Sequence, residues 1–293
     1  MRAFRNAQPD SLTNCGGDYL TGQKGETANW IYWTGGFDVV FMKADGFGKA
    51  LPGATFTLYT DEDCADNHMF EMSFQDGKRA TTVSSDGNAT YKDKNGNTVT
   101  LLKGEVLLSK VPPKTFYLKE TSLPTTNPDG EPYAYKANET VYEVTISEKG
   151  ILTMQEKRAG ETAYTEVYKV VTTPVGTDPA EYQYRVMNIS AAERKVILRK
   201  VDGSFNPAKA TFEILRYDRS QVSADINGTP TVSFTSTASG VFFIGNLPYG
   251  TYYLHETAPF SKWFILTVNE KGYGYELADK SIISTLNAEP NKP

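Results

Sequence analysis

The chain has 293 residues, of which 39% are hydrophobic and 22% charged, so it can bury the cores of two domains. Its net charge of −5 argues against nucleic acid or an anionic membrane surface as a partner. No apolar run approaches the roughly 20 residues of a membrane-spanning helix. With two cysteines and two histidines, the common Cys/His zinc sites are excluded, and we expect neither a metal nor a cofactor.

Short segments of alternating apolar and polar residues recur along the chain and predict strands, whereas capped helical patterns are scarce. Turn pairs such as Asp86-Gly87 and Asn227-Gly228 separate them. This spacing predicts an all-β fold of tandem Ig-like β-sandwich domains. In chain order the predicted strands are Phe37–Lys43, Ala54–Tyr59, Thr115–Thr121, Thr140–Ile146, Tyr182–Asn188, Lys195–Lys200, Thr211–Leu215, Gly240–Ile244, Thr251–Thr257, Phe264–Val268 and Ser281–Leu286.

An internal repeat sets the domain organisation. The segment Phe41-Met42-Lys43-Ala44-Asp45-Gly46 matches Leu198-Arg199-Lys200-Val201-Asp202-Gly203, and Thr115–Thr121 matches Thr251–Thr257. Each half then closes on a predicted strand that ends in asparagine, at Asn188 and at Asn287. The order Lys, Glu, Asn therefore occurs twice, with longer loops in the first copy. We predict domains at 37–190 and 191–293, and take residues 1–36 as an N-terminal segment, a candidate tail of a preceding domain.

Strand alternation directs the repeated polar residues toward the apolar faces. Leu118 and Glu120 share a face, as do Leu198 and Lys200. An unpaired buried charge costs several kcal/mol, and desolvation lowers the pKa of Lys and raises that of Glu. A neutral lysine amine is a nucleophile, and a protonated glutamic acid can polarise a carboxamide and shuttle protons. The pattern thus favours a Lys–Asn amide that forms with release of ammonia.

These motifs resemble the collagen-adhesin B-type repeat (Cna B-type, SpaA-like) of Gram-positive bacteria, which builds sortase-assembled pilins and cell-wall-anchored adhesins. The resemblance covers about residues 37–289, and only turn positions such as Lys114 and Lys209 depart from the pattern. It implies two intramolecular isopeptide bonds, Lys43–Asn188 and Lys200–Asn287. Glu120 and Glu256 would be single-turnover catalysts, so the chain is not expected to be an enzyme. The matching motif residues are Lys43, Asp45, Gly53, Ala54, Phe56, Leu118, Glu120 and Thr121, and Lys200, Asp202, Ala210, Phe212, Gly250, Tyr252, Leu254, Glu256, Thr257 and Pro259.

The resemblance also implies a function. We expect a pilus subunit or adhesin stalk with a role in cell adhesion, located outside the cell on the cell wall or pilus surface. Other pilin subunits would be its partners through sortase, with a host protein or glycan as a further ligand. No signal peptide opens the chain, and we expect it to be a trimmed part of an exported protein.

Two features leave alternatives open. Cys15 and Cys64 form a disulfide or stay as two free thiols. Trp30 and Trp33 belong to a core strand or form an aromatic platform for a ligand. The platform supports the alternative function, a carbohydrate-binding accessory β-sandwich of a secreted enzyme.

Overall fold

A computed structural model describes residues 4–5, 36–93, 95–172, 182–223 and 230–287. Strands dominate it, which confirms the predicted all-β class. The chain divides into two compact units. The first takes most residues up to Val186, and the second takes Met187 onward with the short earlier segments Ala44–Lys49 and Ala134–Lys136. The domain limits 37–190 and 191–293 stay predictions. No helix in the described ranges has the length and apolar content needed to cross a membrane.

The described residues up to Asn188 form fifteen strands. The predicted opening, central and closing strands are present, whereas several short strands in the loops and the long strand after Gly104 were missed. The strands are β1 (Phe4–Arg5), β2 (Phe37–Asp45), β3 (Thr55–Tyr59), β4 (Met72–Phe74), β5 (Gly77–Arg79), β6 (Thr81–Val83), β7 (Thr90–Lys92), β8 (Thr98–Thr100), β9 (Glu105–Val111), β10 (Thr115–Ser122), β11 (Val141–Ile146), β12 (Leu152–Lys157), β13 (Thr165–Glu166), β14 (Lys169–Val171) and β15 (Tyr182–Asn188).

Two sheets enclose the first core. One has the order β1-β2-β15-β14, with β9 also paired to β2, and the other has the order β13-β12-β11-β10-β3-β6. Alternation along β10 buries Phe116, Leu118 and Glu120 and leaves the residues between them partly exposed. Leu118 lies opposite Leu58 on one side and Tyr142 on the other. The apolar residues of both sheets therefore form one continuous core that includes Phe41 and Phe56.

The second unit repeats this plan with fewer strands. A pair, β16-β19, faces a five-stranded sheet of order β18-β17-β20-β21-β22, and the core between them includes Leu198, Phe212 and Leu254. Its strands are β16 (Glu193–Arg199), β17 (Thr211–Arg216), β18 (Ser233–Thr235), β19 (Val241–Pro248), β20 (Gly250–Ala258), β21 (Lys262–Asn269) and β22 (Gly272–Leu277).

The predicted closing strand Ser281–Leu286 is wrong, because this segment forms helix α1 (Lys280–Asn287). Asp279 caps the helix, since its carboxylate accepts the backbone N–H of Ile282 at 2.9 Å. Ile282, Ile283 and Leu286 lie on one helix face and pack in a cluster with Leu215, Tyr253 and Trp263. The acidic cap and the i, i+1, i+4 spacing of the apolar residues were the sequence signals for a helix.

Truncation of this helix face should destabilise the second unit. Leu286 is buried in the cluster, so we expect Leu286→Ala to lower the free energy of unfolding by about 2 kcal/mol or more. Leu277, which is 67% exposed, gives the control, and Leu277→Ala should change that free energy by less than about 0.5 kcal/mol. Urea unfolding of both variants checks this, and equal effects would show that α1 is not packed as described.

Candidate functional site

The two copies of the repeat build the same turn behind each opening lysine. Asp45 and Asp202 each stand two residues after the lysine. One carboxylate oxygen of each accepts the backbone N–H groups two and four residues further on, at 2.8 to 3.0 Å. The backbone N–H groups of Lys43 and Lys200 donate to the carbonyls of Gly104 and Gly240, both at 2.8 Å. The Lys-x-Asp motif thus fixes the backbone from which each lysine side chain projects.

The glutamates also occupy equivalent places. Glu120 lies opposite Phe56 across β10 and β3, and Glu256 lies opposite Phe212 across β20 and β17. Both phenylalanines come from the Ala-x-Phe part of the repeat and are buried. Each glutamate therefore points into an apolar interior from the sheet that faces the lysine.

In the first unit, Lys43 and Glu120 are in contact inside the sandwich. The lysine side chain is 0% exposed, and its Nζ donates to Glu120 Oε2 at 3.2 Å. The same nitrogen lies 5.7 Å from the centre of the Phe56 ring. Asn188 is the last residue of β15, the strand beside β2 in the sheet, and it is buried as predicted.

Burial changes the chemistry of the Lys43 amine. Desolvation lowers its pKa from the ordinary value of 10.5 to about 8, although the charge and hydrogen bond of Glu120 act in the opposite direction. An appreciable fraction of the amine is therefore neutral and nucleophilic at mildly alkaline pH.

In the second unit, Lys200 and Glu256 form a tighter ion pair. Lys200 Nζ donates to both carboxylate oxygens of Glu256, at 3.0 and 2.9 Å. Glu256 is fully buried, whereas the Lys200 side chain is 24% exposed. Asn287 is the last residue of α1, and its side chain lies outside the description. The structure thus brings two of the three predicted residues together here.

Comparison with known proteins identifies the repeat. The family model described as the SpaA prealbumin-like fold domain matches residues 37–158 and 194–287. The chain belongs to this SpaA domain family. Both matched ranges contain one of the lysine–glutamate pairs, which confirms the resemblance drawn from the motifs. A search of curated proteins gave no match.

Among solved structures, this chain is similar to several proteins at low identity. One is a streptococcal ancillary pilin, at 18% identity and a TM-score of 0.25, with 83% of this chain and 58% of the pilin covered. Another is BcpA, the major pilin subunit of Bacillus cereus, at 13% identity and a TM-score of 0.20, with 83% and 96% covered. A third is the Bacillus anthracis TIE protein, at 18% identity and a TM-score of 0.23, of which the chain spans 31%, while 80% of this chain is covered.

Sequence reasoning missed one residue of the first site. The side-chain amide of Asn138 donates to Glu120 Oε2 at 3.0 Å and to the hydroxyl oxygen of Tyr142 at 3.1 Å. Asn138 lies in the loop before β11, where the first copy is longer than the second. The comparison of the two copies therefore gave no signal for it.

A second polar array was also missed. His255 Nδ1 lies 2.7 Å from Glu213 Oε1, its Nε2 lies 3.0 Å from Ser261 Oγ, and its ring stacks on Trp263 at 3.9 Å. The first and last partners are direct cross-strand neighbours of His255 on β17 and β21. Contacts of this kind stabilise a sheet, and we assign the array this structural role because the imidazole is held on three sides.

The remaining predicted residues stay apart from the two sites. Cys64 forms no disulfide with any described residue, and burial raises the pKa of its thiol. Cys15, Trp30 and Trp33 lie outside the described residues, so the disulfide and the ligand platform stay predictions, as does the carbohydrate-binding alternative.

The pKa of Lys43 predicts a pH dependence of stability. In Asn188→Ala, Lys43 remains an amine. Between about pH 8 and pH 10.5 the unfolded chain holds a lysine proton that the folded chain has lost. The free energy of unfolding of the first unit should therefore rise by about 3 kcal/mol across this range. Urea unfolding at stepped pH measures it. Adding Lys43→Met should abolish the rise, and an identical rise in both variants would contradict the assignment.

Proposed function

We propose that this chain is a structural surface protein of a Gram-positive bacterium, a pilus subunit or adhesin stalk. In this proposal its domains are stabilised by self-generated Lys43–Asn188 and Lys200–Asn287 isopeptide bonds. The observation that carries it is the contact of a lysine with a buried glutamate at equivalent places in two SpaA repeats. Desolvation makes an ion pair inside a sandwich unfavourable for folding. Its occurrence in both copies therefore supports a chemical role.

The reaction in the first unit begins with proton transfer from the Lys43 ammonium to Glu120, which the 3.2 Å contact allows. The neutral Nζ then attacks the side-chain carbonyl carbon of Asn188 while the protonated carboxyl donates to the developing oxyanion. Collapse of the tetrahedral adduct breaks the C–N bond. Glu120 gives its proton to the leaving nitrogen and takes one from the attacking nitrogen, so ammonia departs and Glu120 ends as a neutral acid. The amine and the carboxamide become a neutral amide, so the interior loses one ion pair.

Packing supplies the catalytic power. Amide exchange by an amine is slow in solution, and holding both groups on ordered strands raises their effective concentration by many orders of magnitude. The event happens once in each unit, and no turnover follows. In the second unit Lys200 and Glu256 would act in the same roles toward Asn287 at the end of α1.

The crosslink suits a load-bearing role. In the first unit it would join β2 to the neighbouring strand β15, the opening and closing strands of that domain. Force applied along the chain would pass through the amide and leave the strands between them unloaded. By analogy with a disulfide that closes a loop of about 100 residues, each amide would add about 4–5 kcal/mol of stability. Such a stalk would act outside the cell, joined to other pilin subunits by sortase, with a host protein or glycan as a further partner.

Accurate intact mass tests the chemistry directly. Each amide formed releases one ammonia, so the mass should be lower than that of the unmodified sequence by about 17 Da for one crosslink and about 34 Da for two. Peptide mapping should then join Lys43 to Asn188 and Lys200 to Asn287. A mass equal to that of the sequence would refute the proposal, and a loss of one ammonia would restrict it to the mapped unit.

Removal of a catalytic carboxyl should prevent the crosslink in its own unit only. We expect Glu120→Ala to keep the unmodified Lys43 and to lower the free energy of unfolding of the first unit by at least about 4 kcal/mol. Lys119→Ala is the matched control, because Lys119 is adjacent on β10 but lies on the opposite face. It should keep the crosslink and change stability by less than about 0.5 kcal/mol. Intact mass and urea unfolding measure both effects, and a fully crosslinked Glu120→Ala protein would contradict the role of Glu120.

A further inference from the structure

Both polar atoms of the Asn138 side chain form hydrogen bonds. Its amide nitrogen donates to Glu120 and Tyr142, and its Oδ1 accepts the backbone N–H of Thr140 at 3.2 Å. This last contact is an Asx-type turn, which sets the side-chain direction locally. Tyr142 anchors the other side, since it belongs to the buried core and burial raises the pKa of its phenol, which therefore stays neutral. The amide is thus presented to Glu120 from a fixed position.

The contact changes how the carboxylate holds the lysine. In the first unit, Oε2 of Glu120 accepts from both Asn138 and Lys43. In the second unit, the described side-chain hydrogen bonds of Glu256 come from Lys200, which reaches both oxygens. A two-point ion pair holds an ammonium more strongly than a one-point contact does. The lysine and glutamate therefore share one described hydrogen bond in the first unit and two in the second.

We propose that Asn138 is a positioning residue for the first crosslink, which holds Glu120 through Oε2 and keeps it from closing on Lys43 as a two-point ion pair. The inference rests on the proposed isopeptide chemistry. Without Asn138, the carboxylate can turn into the two-point arrangement seen at Glu256, which holds the amine more strongly as an ammonium and slows its attack. With Asn138, the carboxyl keeps one orientation during proton transfer and the amine is released more readily.

The rate of amide formation tests this role. The chain is made by cell-free synthesis, samples are denatured at intervals, and the crosslinks at Lys43 and Lys200 are quantified by peptide mass. Asn138→Ala should slow the Lys43 crosslink about tenfold and leave the Lys200 crosslink unchanged. The pH of half-maximal rate should also move upward, because the amine then stays protonated to higher pH.

Two further variants separate positioning from loop structure. Asn138→Asp keeps the shape and the Asx-type acceptor but places a carboxylate beside Glu120, so at neutral pH it should slow the reaction at least as much as Asn138→Ala. Asn127 accepts two backbone N–H groups at 2.9 Å in the same long loop, so Asn127→Ala is the control for loop geometry and should react at the wild-type rate.

The outcomes are distinct. If the wild-type chain loses ammonia at Lys43 but both Asn138 variants stay within about twofold of its rate, the positioning role is overturned and the proposed function stands. Peptides that join Lys43 to Asn138 would also overturn it, since Asn138 would then be the reacting carboxamide. If the wild-type chain keeps a free Lys43, the proposed function itself fails.

Discussion

The contact of a lysine ammonium with a glutamate carboxylate inside a β-sandwich is the interaction on which the proposed chemistry of this chain depends. Water solvates both charges in the unfolded chain. In the folded interior the two charges contact each other, the Asn138 amide donates to the carboxylate, and the ammonium lies over the Phe56 ring. The low pKa of Lys43 is the measure of this cost, because burial outweighs the attraction of Glu120. The proposed reaction would remove this cost, because it converts the amine into a neutral amide.

The sandwich provides what such a reaction requires. The opening strand is followed by an Asp-capped turn that fixes the lysine backbone, and the facing sheet presents the glutamate opposite a buried phenylalanine. These are the residues that both copies share, and each has a geometric task. The loops between them differ in length between the two copies, and the longer loop before β11 in the first copy holds Asn138.

Alternation and the internal repeat made much of this predictable. They gave the all-β class, most central strands, and the inward direction of Lys43, Glu120 and Asn188, because a period of two fixes which face a residue occupies. They did not give Asn138, since it contacts Glu120 from a loop 18 residues further along the chain, and the described residues of the second copy show no equivalent contact. They failed at Ser281–Leu286, where residues with high β propensity form a helix because an acidic cap and three apolar contacts outweigh propensity.

Because the second unit closes with a helix, a crosslink would stabilise the two units in different ways. In the first repeat, the two residues of the proposed crosslink, Lys43 and Asn188, belong to the neighbouring strands β2 and β15 of one sheet. In the second unit Asn287 ends an eight-residue helix, a length that is marginal without tertiary contacts. That helix covers Leu215 and Trp263 on the outer side of its sheet. An amide from Lys200 would tether an element that packs on the sheet through its apolar face, and the cluster beneath α1 would then stay covered under load.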